Sequence, residues 1–314
     1  MRHYFAPLEG LTDIIYRRVH HKYFPGLDRY YTPFLSPTVH RQLTHKEKRE
    51  IPPADTLPFF TVPQILTKNA EDFQWVAMQC RDLGYTEANL NLGCPSGTVT
   101  AKGKGSGMLR DPDTLDAFLS GIFRDAPLDI SVKTRIGFTS AEEFPAILDI
   151  YNRYPIKELT VHPRPRSAFY SDKVELDAFG YAVAHSRALV CYNGNLCSQA
   201  QIRQFREAFP TVDAVMLGRG LIADPGMLSG NSTDRNALKA FHDELLEEYL
   251  VVFGGSWNAM FRLKENWHYL IRKFADSEKL GKRLRKTTDL EEFRSITDEI
   301  FLTLPILEET QSDW

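Results

Sequence analysis

The feature that most constrains this chain is a set of eight short apolar, β-branched or aromatic runs, spaced roughly 25 to 35 residues apart with amphipathic stretches between them. They cover 3–6, 28–33, 60–65, 87–92, 129–133, 158–162, 189–193 and 214–218. Such alternation is the rhythm of βα units. The intervening patterns predict helices over 70–83, 112–123, 141–154 and 198–209, with Asp111, Ser140 and Ser198 in capping positions. Eight alternations in about 220 residues fit a closed (β/α)8 TIM barrel of the α/β class better than an open doubly wound sheet.

Polar residues fall where these runs end. Pro7, Leu8 and Glu9 follow the first, Gln64 closes the third, and Asn91 with Cys94 closes the fourth. Lys133 and Arg135 close the fifth and His162 the sixth. Asn193-Gly194-Asn195 and Gly218-Arg219-Gly220 follow the seventh and eighth. A barrel brings all these ends to one rim, where such folds build their sites.

Beyond about residue 230 the strand-like runs stop. The polar stretch 231–234 separates a barrel of 1–230 from a segment 231–314 in which apolar residues recur at helical spacing. These include Leu238, Phe241, Leu245, Tyr249 and Val252, then Trp257, Met260, Phe261, Trp267, Ile271 and Phe274, all expected in the core of an appended all-helical domain. The net charge of −3 argues against a uniformly basic nucleic-acid coat, yet it conceals an asymmetry. Residues 262–286 hold nine Lys or Arg against three acids, whereas 287–314 hold one Arg against eight acids.

No apolar run approaches the ~18 residues of a membrane span, and no signal-peptide pattern opens the sequence, so a cytoplasmic location without membrane attachment is expected. The four cysteines show no CxxC pair and no zinc-like spacing. Free thiols and no metal site are therefore expected.

Cys80, Cys191 and Cys197 read as small buried hydrophobes. Cys94 differs, since it lies at a strand end, is followed by Pro95, and precedes a loop holding Lys102, Lys104 and the glycines 97, 103, 105 and 107. That loop lacks bulk and carries positive charge, which suits an anionic partner. With an ordinary thiol pKa near ~8.5, Cys94 could serve as an acid or a nucleophile. Lys133 and Arg135, two apart on one strand, project to the same side, and burying either without an anion is costly. A structural ion pair is the plainer reading of that pair, and a satisfied core histidine that of His162. The Asn-Gly-Asn and Gly-Arg-Gly turns at consecutive strand ends suit a phosphate held on loop N–H groups.

Taken together, the motifs resemble the tRNA-dihydrouridine synthase family. The matching pieces are Ala6 through Asp13, Pro63-Gln64, Asn91-Leu92-Gly93-Cys94-Pro95, Lys102-Gly103 with Gly105-Ser106-Gly107, Val132 through Gly137, Val161-His162-Pro163-Arg164, Asn193-Gly194-Asn195 and Gly218-Arg219-Gly220. They occur in the family's order across the whole barrel, and the helical tail is similar to the family's RNA-binding domain. The sequence departs from the usual pattern at Pro163, where a glycine commonly lies between His and Arg, and at Asn195, where an acid is common.

The resemblance implies FMN held by Pro7, Leu8, Glu9, Gln64, Lys133, His162, Asn193, Gly194, Asn195, Gly218 and Arg219, with NADPH or NADH as reductant. It implies Cys94 as the acid, Asn91 at the uracil edge, and tRNA as partner with no obligate protein partner. Phosphate contacts are expected from Lys102, Lys104, Arg164 and Arg166, with Arg135 also assigned to the substrate, and from Lys282, Arg283 and Arg285 in the basic run. Three other readings fit parts of the sequence: an FMN barrel acting on a small pyrimidine-like molecule, a lyase with Lys133 as a Schiff-base lysine, and a non-catalytic RNA-binding module.

Overall fold

The computed structural model describes residues 1–170, 173–230 and 232–310. The polar break expected at 231–234 begins on Asn231, which lies outside the described residues. Nine parallel strands form one sheet: β1 Arg2–Phe5, β2 Arg29–Tyr31, β3 Thr61–Val62, β4 Gln64–Ile65, β5 Glu87–Leu92, β6 Asp129–Arg135, β7 Glu158–His162, β8 Leu189–Tyr192 and β9 Ala214–Leu217. Their order is β3-β2-β1-β9-β8-β7-β6-β5-β4.

Nine strands arise from eight runs because Pro63 interrupts the third. Lacking an N–H, proline cannot complete a ladder on both sides. The strand therefore pairs with β2 before Pro63 (Tyr31 with Val62) and with β5 after it (Gln64 with Asn89). A parallel bridge between Leu35 and Ile65 draws the two ends of the sheet together. The result is a nearly closed TIM barrel.

The chain gathers into two compact units. The first comprises 1–7, 28–195 and 209–216 and carries the barrel. Its helices Ala70–Asp82 and Pro112–Phe123 begin where the sequence suggests, and the segment expected to be helical from 141 opens as a 3-10 turn, Ala141–Glu143, that leads into helix Phe144–Tyr151. Asn69 accepts from the Asp72 N–H, Asp111 from those of Asp113 and Thr114, and Ser140 with Glu143 forms a capping box ahead of the third.

The second unit comprises 8–27, 196–208 and 217 onward and is helical. Its C-terminal part consists of helices Arg235–Phe253, Ser256–Leu270, Glu278–Lys286 and Leu290–Thr303. Phe241, Leu245, Tyr249, Met260, Trp267 and Phe274 are buried, as their spacing predicts. Val252, Trp257 and Phe261 correct that expectation, being 36%, 60% and 58% exposed. Ala259, Met260, Leu263, Asn266, Trp267 and Leu270 occupy the buried face of their helix. Trp257 and Phe261, four apart, share a different face. No described helix is long and apolar enough to cross a membrane.

Candidate active site

In a parallel barrel, residues two apart on a strand share the interior face. On β5 these are Glu87, Asn89 and Asn91, and on β6 they are Ser131, Lys133 and Arg135. Register sets Asn89 beside Ser131 and Asn91 beside Lys133. Lys133 in turn lies level with Thr160, and Arg135 with His162.

Cys94 sits just beyond β5 and is held by its backbone. The Asn91 side-chain oxygen accepts the N–H groups of Gly93 (3.0 Å) and Cys94 (2.9 Å). From the other side, the Ser106 N–H and hydroxyl donate to the Cys94 carbonyl at 3.1 and 2.7 Å. The glycine loop can close this tightly because Gly105 adopts φ +57°, and a Cβ there would lie 2.9 Å from the Cys94 carbonyl oxygen and 3.0 Å from its Cβ. Cys94 is half-buried. The other three thiols are buried, which pushes Cys80 up to about 12, Cys197 up to about 11 and Cys191 well above its ordinary value. They are packing residues.

Among the strand-end residues of this rim, Lys133 stands in a strongly altered environment. Burial, then the Arg135 guanidinium, pulls its ammonium down to about 8, while Cys191 and, more weakly, Cys94 act on it in the opposite sense. Among the described residues no carboxylate pairs with it, so the ion-pair reading does not apply. Arg135 behaves differently from its assignment as a substrate contact. Fully buried, it donates through Nε, Nη1 and Nη2 to the carbonyls of Gly93 (3.0 Å), Pro165 (2.9 Å) and Phe169 (2.7 Å). It thereby ties the Cys94 loop to the loop after β7, where Phe169 holds φ +45°.

His162 ends β7 and lies 3.0 Å from Arg164 Nη1 through its Nε2. Guanidinium can only donate, so Nε2 accepts and the proton of the neutral ring sits on Nδ1. Arg164 is buried and also reaches Asn195 Oδ1 at 3.4 Å, at the position where the family commonly has an acid. Arg166 donates to the Pro95 carbonyl at 3.2 Å and lies over the rings of Phe138 and Phe169. Lys104 donates to Ser36, while Lys102 is exposed. Asn193 donates to the Met216 carbonyl at 2.8 Å, and a Cβ on Gly194 would collide with the Tyr192 hydroxyl at 2.1 Å.

In the first unit, then, the structure brings together Gln64, Asn91, Cys94, Lys133, His162, Arg164 and Arg166 around the C-terminal ends of β4 to β7. Leu8, Glu9, Gly218 and Arg219 belong to the second unit. There the Leu8 N–H donates to Thr12 at 2.9 Å, and Gly218 opens the short helix Arg219–Ala223. Lys282, Arg283 and Arg285 lie exposed on helix Glu278–Lys286, whose Leu280, Gly281 and Leu284 are buried.

The sequence reading missed Ser106, Asn89, Ser131 and Glu87. The signal was present in Glu87, Asn89 and Asn91, three polar residues at period two in a strand buried at every position. Among the described residues no cluster of His, Cys, Asp and Glu could hold a metal ion.

A barrel with such a rim defines a class, and comparisons sharpen it. Solved structures with the same fold include histamine dehydrogenase from Rhizobium sp. 4-9 (TM-score 0.54, 11% identity, 85% of this chain and 49% of that one) and 2-naphthoyl-CoA reductase (TM-score 0.54, 10% identity, 74% and 50%). The dihydrouridine synthase family model matches residues 4–297, and the chain belongs to that family of flavin-dependent oxidoreductases. It is 25% identical to a probable tRNA-dihydrouridine synthase 2 of Bacillus subtilis (strain 168), over 94% of this chain and 92% of that protein. Identity is also 25% with tRNA-dihydrouridine synthase B of Pasteurella multocida (strain Pm70), over 71% of this chain and 67% of that one.

Proposed function

We propose that this enzyme reduces the C5=C6 bond of a uridine in tRNA to 5,6-dihydrouridine, with Cys94 as proton donor. The observation that carries the reading is a half-buried thiol, clamped at its backbone by Asn91 and Ser106, within electrostatic reach of the unpaired Lys133 ammonium.

The residues present fit FMN. A half-buried cation with no carboxylate partner suits the electron-rich end of the flavin ring. Pro7, Gln64, Lys133, His162, Asn193, Gly194 and Asn195 would hold it from the first unit, and family resemblance adds Leu8, Glu9, Gly218 and Arg219. Bound FMN, reduced by NADPH or NADH, supplies the hydride that C6 receives.

This chain's own residues supply the rest. Negative charge developing on C5 and O4 of uracil is quenched when the Cys94 thiol gives its proton to C5, worth about 10²- to 10⁴-fold. Lys133 and Arg135, both coupled electrostatically to Cys94, stabilise the thiolate that remains. The side-chain oxygen of Asn91 is fully used, but Nδ2 carries a second hydrogen with which to hold a uracil carbonyl.

A base stacked in folded RNA cannot reach this site and must be extruded at a cost of a few kcal/mol. Phosphate contacts offset that cost. They come from Lys102 and Arg166 and from the basic face of helix Glu278–Lys286, whereas the Arg164 assigned to the same role is buried and held by His162 and Asn195.

The test is to map dihydrouridine along tRNA from cells with and without this gene, and to compare turnover of the purified protein on unmodified tRNA and on free uridine. One position losing the modification, restored by wild type but not by Cys94→Ala, is expected. A colourless protein that takes up no FMN, or equal turnover on free uridine, overturns the reading.

A further inference from the structure

Five buried polar residues on β4, β5 and β6 form a chain of hydrogen bonds that all run one way. The Cys94 and Gly93 N–H groups donate to Asn91 Oδ1, and Asn91 Nδ2 donates to Gln64 Oε1 at 2.8 Å. Gln64 Nε2 donates to Asn89 Oδ1 at 2.8 Å, and Asn89 Nδ2 to Ser131 Oγ at 3.0 Å. The Ser131 hydroxyl donates to Glu87 Oε1 at 2.7 Å. The Glu87 carboxylate is also paired with Arg29 (3.1 Å) and Lys157 (3.0 Å). Asn89, Gln64, Ser131 and Glu87 are each essentially inaccessible to solvent.

The two ends leave the middle no choice. Backbone N–H groups can only donate and a carboxylate can only accept. Every amide between them must therefore turn its oxygen toward Cys94 and its nitrogen toward Glu87. Buried chains of this kind polarise one another along their length, which strengthens each bond.

We infer that Glu87 is a positioning residue: through Ser131 and Asn89 it fixes which way the amides of Gln64 and Asn91 face, and so seats the Cys94 loop from the opposite end of β5. Asn91 is left with an N–H, not a carbonyl, as its remaining group. The consequence for uracil recognition rests on the reductase reading above. The relay itself does not.

Reversal of the chain tests it on flavin-free protein. Asn91→Asp keeps an oxygen for the Cys94 and Gly93 N–H groups but sets a second one against Gln64. Gln64 and Asn89 must then both turn, so that the Ser131 hydroxyl donates to Asn89 and its lone pairs face the Glu87 carboxylate. Asn91→Asp alone should lower the melting temperature by roughly 5–10 °C. Adding Glu87→Gln, whose amide can donate to Ser131, should recover at least half of that loss beyond additivity.

Charge repulsion between Asp at 91 and Glu87 would also give some recovery, so the same cycle is run in a Ser131→Ala background. Loss of the coupling there supports the relay, and its persistence overturns it. The pH profile of Cys94 alkylation is the second readout, expected to shift in Asn91→Asp and return in the double variant. An unshifted profile, or strictly additive melting changes, also overturns it. Absence of dihydrouridine formation alongside intact coupling would count against the reductase reading alone.

Discussion

Lys133→Met separates what a residue does for folding from what it does for ligand binding, because the two should move in opposite directions. The wild-type side chain is drawn from 10.5 down to about 8, chiefly by burial. At ~1.36 kcal/mol per tenfold change, that corresponds to roughly 3 kcal/mol of penalty for carrying the charge. Water at this half-buried side chain reduces the figure to about 1–3 kcal/mol. Methionine keeps the length and apolar stem without the charge. Flavin-free Lys133→Met should therefore melt about 3–10 °C above wild type at pH 7.

The margin must also depend on pH with a fixed sign. Below about 8 both folded and unfolded states hold the proton and the wild-type penalty is complete. Between about 8 and 10.5 the unfolded state binds more protons, so wild-type stability rises with pH and the advantage of Met shrinks. By about pH 9.5 it should be less than half its value at pH 7. Flavin retention should fall in the same variant. Scanning calorimetry of the apoprotein at both pH values and the flavin-to-protein absorbance ratio make the comparison. A Met variant that melts lower at pH 7, or a margin that widens as pH rises, would mean that Lys133 has a compensating partner inside the protein and is not reserved for a ligand.

Three further outcomes are expected. Cys94→Ala should leave flavin content unchanged while dihydrouridine formation in single-turnover assays falls by about 10²- to 10⁴-fold. Gly105→Ala forces a side chain into φ +57° and against Cys94, so the protein should lose about 1–3 kcal/mol in denaturant titrations and alkylate Cys94 at an altered rate. Replacing Lys282, Arg283 and Arg285 together by Glu should weaken tRNA binding at physiological salt with flavin content unaltered, and flatten the salt dependence of affinity, as followed by filter binding.

The parts legible in the sequence were those written in local order. Strand runs, caps at Asp111 and Ser140 and the strand-end positions of Cys94 and Lys133 all follow from neighbours within a few residues, whereas the absence of a carboxylate partner for Lys133 does not. What escaped depends on pairing across strands or on helix faces. Pro63 splits a strand only because β2 and β5 claim its two halves. Arg135 reads as a rim cation until the carbonyls of Pro165 and Phe169, some thirty residues on, take its donors. Trp257 and Phe261 obey helical periodicity yet fall on the exposed face, because the period alone does not say which of two apolar stripes is covered. Each compact unit also draws on three separated segments, an arrangement that a boundary drawn along the chain does not describe.

The barrel interior divides into two halves of different chemistry, and burial explains how a polar relay can exist in one of them. Tyr4, Ala6, Tyr31, Val62, Cys191, Ala214 and Met216 form a buried, mainly apolar cluster contributed by β1, β2, β3, β8 and β9. Asn89, Asn91, Gln64, Ser131 and Glu87 occupy β4, β5 and β6. An amide chain in contact with water would exchange its partners freely and transmit no preference for one orientation. Away from solvent each unmade bond instead costs about 1–3 kcal/mol, so the arrangement in which every member of the relay is satisfied is favoured. Burial thus favours one orientation of the polar half. Carrying a fixed orientation from the Glu87 ion pairs to the backbone of a thiol requires that burial.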